Sequence, residues 1–186
     1  MRERLLSQMS LGYYFRKTVK TIDRLTPSDL ADLRRRCREI QAAEEKLLAA
    51  GRSAFTRCYS GCGGLCCHNI AMDEIIGFSD FIYILALAGH LRESMAICLE
   101  HENRLFASDC VFLLNGKGPC VFPPAVRPEV CITAFCASVV PANTEIRKVK
   151  YLFMRLNIYI FFLRAKMLIH RFNFLLRSVL TKLRVV

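Results

Sequence analysis

The sequence predicts a mainly α-helical fold in which a helical scaffold holds two cysteine-rich loops, with at most a short β-hairpin. Three observations carry that prediction. Apolar residues recur at helical spacing through long segments free of proline and glycine, most plainly across residues 143–186. Proline and glycine gather instead in two stretches, residues 58–67 and 108–141, and eight of the ten cysteines lie in those stretches. At 186 residues the chain has the size of one domain able to bury an ordinary core, so disulfides are not needed to hold it together.

The elements follow in order, in three parts: a helical segment over residues 1–55, a cysteine-bearing core over 56–141 and a long basic amphipathic helix over 142–186 packed on that core. Residues 5–25 mix Tyr13, Tyr14 and Phe15 with arginine and lysine and predict a short helix. A firmer helix starts at Thr26-Pro27-Ser28-Asp29, where Thr26 can cap, Pro27 suits the first turn and Asp29 stands three residues on; it runs to about Gly51. Its apolar positions are Leu30, Leu33, Cys37, Ile40, Leu47 and Leu48, with residues 34–38 and 44–46 read as solvated faces and Cys37 as a core thiol. Three glycines within residues 58–67 rule out a stable helix there and leave a loop built around sulfur.

Residues 72–88 are apolar with Asp73, Glu74 and Asp80 near their start, which suits a helix N-terminus; Gly89 breaks it. A helix over 91–105 carries Cys98 among Met95, Ala96, Ile97 and Leu99, and so predicts a buried thiol. In the second sulfur-bearing stretch, Asn115-Gly116-Lys117-Gly118-Pro119 is a turn between residues 111–114 and 120–122, which could pair as a hairpin. Residues 143–186 predict one long helix. Arg155, Lys166 and Arg177 share one stripe of it, Arg164, Arg171 and Lys182 another on roughly the opposite side, and two apolar faces lie between. Its longest uncharged run, residues 156–163, is eight residues against the roughly 20 needed to span a bilayer, so no transmembrane segment is expected.

The N-terminal residues contain no uninterrupted apolar run of the secretory type, which predicts a cytoplasmic, reducing setting where clustered cysteines bind metals or act chemically rather than form disulfides. Cys58, Cys62, Cys66 and Cys67 place four sulfurs within ten residues, and Cys110, Cys120, Cys131 and Cys136 supply four more. Eight thiolates suffice for two four-thiolate centres, or for one cluster with spare redox-active sulfurs, so the cofactor is an iron–sulfur cluster or zinc. Bending by the intervening glycines would let such loops aim several thiolates at one point.

These two blocks resemble the YkgJ-like cysteine-cluster family, a zinc- or iron-chelating domain with a CxxCxxCC signature. The first block is Cys58-Tyr-Ser-Gly-Cys62-Gly-Gly-Leu-Cys66-Cys67. The second runs from Cys110-Val-Phe-Leu to Cys120, then through Arg127-Pro128 to Cys131, similar to the family's C-x-F-L and R-P-x-x-C elements. Three residues rather than two separate Cys62 from Cys66, and Pro123 stands where an aromatic position is common. The resemblance implies metal chelation, with some relatives carrying the module inside a larger modifying enzyme. No glycine-rich nucleotide fingerprint follows a strand here, so catalysis is left open. The function expected is metal binding through the eight cysteines, redox or accessory to a modifying enzyme, with a zinc-stabilised interaction module or a metal-free thiol redox sensor as alternatives.

His68, beside the vicinal pair, is a second-rank ligand candidate; His90, His101 and His170 fall on predicted helices without ligand spacing. Arg127 could pair with a thiolate or bond carbonyls. The net charge of +11 remains positive even with eight thiolates and two divalent ions bound, and favours acidic partners. The long C-terminal helix is the contact surface expected for an acidic protein or a homodimer, with nucleic acid or an anionic membrane surface as weaker readings.

Overall fold

The computed structural model of the chain describes residues 10–53, 67, 75–100, 110–114, 119–134 and 142–183. Within them the architecture is mainly α, as the periodicity predicts: α1 (Leu11–Ile22), α2 (Pro27–Ala50), α3 (Phe78–Leu87), a 3-10 turn (Gly89–Leu91), α4 (Arg92–Glu100), α5 (Glu129–Thr133) and α6 (Asn143–Leu183).

Each start has a local cause. Ser10 caps α1, its hydroxyl accepting from the Tyr13 amide at 3.2 Å. Thr26 does the same for Asp29 at α2, again at 3.2 Å, and its own hydroxyl donates to Asp29 Oδ2 at 2.8 Å. At α3 the Asp80 carboxylate reaches back to the Gly77 amide at 2.9 Å. After α3 the chain turns sharply at Gly89, so that the axis from α3 to α4 bends by 115°.

Helix α3 is the centre of the molecule. Seven of its residues, Asp80 to Ala86 in sequence, are buried, because α1 and α2 cover it on two sides and α6 on a third. A column of rings crosses the core, edge-to-face from Phe15 on α1 to Phe81 on α3 at 5.9 Å and on to Phe112 at 6.2 Å, then tilted from Phe112 to Phe122 at 4.6 Å. The expected hairpin is reduced to one antiparallel bridge, Leu113 with Cys120, and no strand forms among the described residues. Pro123 and Pro124 offer no amides with which to extend the ladder.

Helix α6 packs mainly on α2 through Val149, Phe153, Leu156, Ile160 and Leu163, all buried at alternating four- and three-residue steps. Its opposite face is bare: Met154, Ile158, Phe161, Leu168 and Phe172 are each at least half exposed. Both faces match the two apolar stripes expected between the rows of arginine and lysine. Among the described residues no single helix is long and apolar enough to cross a membrane.

Two side chains depart from their sequence reading. Glu44, expected on a solvated face, is fully buried: Tyr83 donates its hydroxyl hydrogen to Glu44 Oε2 at 2.7 Å, and Phe153 lies against the Tyr83 ring at 5.1 Å. Cys98, expected in the core, is half-buried; on α4 only Met95 is fully enclosed. Cys37 is buried as predicted, and burial first, then the neighbouring Glu44, pushes its thiol up to about 12.

Candidate metal centre

Cys67, the described end of the first sulfur-bearing stretch, meets the second. The Cys110 amide donates to the Cys67 carbonyl at 2.7 Å, joining the end of the first block to the beginning of the second. From there the chain makes a tight turn, with the Leu113 amide on the Cys110 carbonyl at 3.0 Å, and returns through the Leu114 to Pro119 and Phe112 to Val121 backbone bonds. Cys120 is thereby bridged to Leu113 on the returning arm, within electrostatic range of Cys110.

A repeated tripeptide orients both sulfurs. Cys110-Val111-Phe112 and Cys120-Val121-Phe122 are the same sequence twice, and in each the backbone amide of the phenylalanine pulls down the pKa of the cysteine two residues earlier, against the upward push of burial. Both phenylalanine rings are buried and in contact, so the amides that face the sulfurs are fixed by the core. An N–H aimed at sulfur favours its thiolate, the form that binds metal. Cys131 approaches from α5. That helix is anchored to the base of α3 because Asp80 Oδ1 accepts the Glu129 amide at 3.1 Å.

Electrostatics tie these thiols together. Burial pushes Cys110 up to about 12, and the charges of Cys120, Cys67 and Cys98 push the same way while the Phe112 amide opposes. Cys120 is raised by burial against the pull of the Phe122 amide and the Arg127 charge. Cys131 is raised by desolvation and then by Cys120, Cys110, Cys67 and Asp80. The Cys131 residue nonetheless keeps an exposed surface, and it is that surface which governs access by an ion or reagent, whereas the protein massed around the sulfur makes ionisation costly. Without a cation among them, thiols in such mutual range hold their protons.

Among the described residues no three histidine, cysteine or acidic side chains form a group that could hold a metal ion. Cys67, Cys110, Cys120 and Cys131 are the described half of the eight predicted ligands; Cys58, Cys62, Cys66 and Cys136, with His68 and His101, lie outside the described residues. His90 is exposed on the 3-10 turn, away from any such role. The positive charge of Arg127 opposes the burial that raises the Cys120 thiol. Sequence reasoning passed over Cys98, whose thiol influences both Cys110 and Cys120. Its signal was available: Cys98 follows the buried Met95 by three residues and so shares the inward edge of α4. Comparison with protein-family models, curated proteins and solved structures finds no match for this chain.

Proposed function

We propose that the chain is a metal-binding protein that coordinates an iron–sulfur cluster or zinc through Cys58, Cys62, Cys66, Cys67, Cys110, Cys120, Cys131 and Cys136. The observation that carries this reading is the doubled Cys-Val-Phe unit, whose two phenylalanine rings pack together in the core and whose two amides each favour the thiolate of a cysteine on adjoining arms. The Cys67 to Cys110 backbone bond adds support by tying Cys67, the last cysteine of the first block, to the first cysteine of the second. The likeness of both blocks to the YkgJ-like family points to the same chemistry. An iron–sulfur occupant would carry electrons or serve a modifying enzyme; zinc, with no redox chemistry, would make the chain a structural or interaction module.

A metal-free redox sensor is the weaker reading. Sensing asks for thiols that ionise easily and are attacked readily. Burial drives Cys110, Cys120 and Cys131 the opposite way.

Anaerobic purification followed by metal and acid-labile sulfide analysis, with a visible absorption spectrum, tests the proposal. Stoichiometric iron and sulfide with a brown colour identify a cluster, and colourless protein with stoichiometric zinc identifies the structural form. In either case the double substitution Cys110→Ser with Cys120→Ser abolishes retention. Metal-free protein with reversibly oxidised thiols would overturn the proposal in favour of the sensor.

A further inference from the structure

We propose that the outward face of α6, with the basic groove beside it, docks on an anionic lipid surface. The face is a continuous apolar stripe: Met154, Ile158, Phe161, Leu168 and Phe172 recur at steps of three, four or seven residues, and Phe162 and Ile169 widen it. Phe161 and Phe162 are 68% and 64% exposed, large rings that meet each other edge-to-face and otherwise open outward. Exposed apolar area arranged contiguously marks a contact site, whereas scattered single side chains do not. The stripe lies directly opposite the seam that holds α6 to α2, so the helix can keep its place on the body while its far side is occupied.

Charge selects the occupant. Helix α6 contains nine lysines and arginines and a single acid, Glu145, in its first turn; no acidic residue follows to the end of the sequence. By helical register Arg164 flanks the stripe on one side, and Arg155 and Lys166 flank it on the other. Two copies meeting through this face would bring Arg155 and Arg164 of one against those of the other, with Asp29 already engaged by Lys166. A lipid surface fits both halves of the pattern, with the phenylalanines entering the acyl boundary and the long basic side chains reaching up to phosphates on either side.

The adjoining groove, about 940 Å³, strengthens the assignment. It runs between α1 and α6 and is lined by Arg16, Lys17, Lys20, Arg24, Arg164 and Lys166, with Asp29 the acid among its lining residues. Asp29 pairs with Lys166 at 2.7 Å, so the remaining cations give the groove a strong net positive charge suited to a phosphate headgroup. Since no described helix is long and apolar enough to cross, the mode is lying on the bilayer.

Sedimentation of the full chain with vesicles tests this, using phosphatidylcholine alone and phosphatidylcholine mixed with phosphatidylserine. Binding is expected on the anionic vesicles, weak on the neutral ones and reduced by salt. The double variant Phe161→Ser with Phe162→Ser, both exposed and so harmless to folding, should lose vesicle binding at unchanged helicity by circular dichroism. Lys20→Glu with Arg164→Glu should weaken binding by at least about fivefold for each cation removed. Absence of binding to the anionic vesicles overturns the proposal. So does binding that survives the double serine variant, or a dimer in light scattering that this variant converts to monomer.

Discussion

Glu44 is the side chain with most at stake in the core. It is fully buried, one carboxyl oxygen accepts from Tyr83, and the other has no hydrogen-bond partner among the described residues. Burial, with a smaller push from Asp80, raises it to about 8 from an ordinary 4.5. Between these limits the unfolded chain binds fewer protons than the folded one. Stability from this group is therefore complete below pH 4.5 and is lost as pH rises through about 8. Glu44→Gln removes that loss: urea unfolding at several pH values should show the variant gaining on the parent by up to about 1.4 kcal/mol per pH unit across the window. Asp80, raised to about 6 by burial, titrates in both proteins, so the difference above pH 7 reports Glu44. Sequence alone placed Cys37 correctly because its neighbours at helical spacing are apolar. It misplaced Glu44, since Glu44-Glu45-Lys46 has the look of a charge run and the hydroxyl that accommodates the acid comes from 39 residues away.

At the scale of elements, the two faces of α6 predict opposite outcomes for substitutions two residues apart. Leu156 is 1% exposed in the seam with α2, and Leu156→Ala should cost about 2–5 kcal/mol of stability. Ile158 is 51% exposed, and Ile158→Ala should stay within about 0.5 kcal/mol, both read from chemical denaturation midpoints. Helix α5 depends on a remote cap: Asp80 accepts both the Gly77 and the Glu129 amides. Asp80→Ala should lower stability by about 1–3 kcal/mol and speed alkylation of Cys131 as α5 loosens, a rate measurable by mass spectrometry. The start of α2 and the length of α6 were legible because caps and periodicity are local signals. That α3 would be enclosed on three sides was not, since a short apolar run reads alike whether it is half or wholly covered.

For the molecule as a whole, the proposed metal couples to protons. Thiols raised by burial and by one another are protonated at neutral pH when no ion is present, so ligation must expel their protons. Apparent affinity for zinc should rise with pH, and calorimetry in two buffers of different ionisation enthalpy should report proton release; equal heats in both would contradict it. The sequence identified the candidate sulfurs by type and spacing, and the backbone bond between Cys67 and Cys110 joins its two blocks. The half-buried Cys98 was legible only as a thiol on the inward edge of α4, three residues after Met95, because no ligand-like interval links it to the other cysteines. The amides of Phe112 and Phe122 face sulfur while their rings end the aromatic column that begins at Phe15. Each peptide unit there is a stiff strut with one end set in the interior, so the tuning of the thiols and the rigidity of the hydrophobic centre become a single mechanical property. A change at Phe15 or Phe81 would be felt at sulfur without touching it.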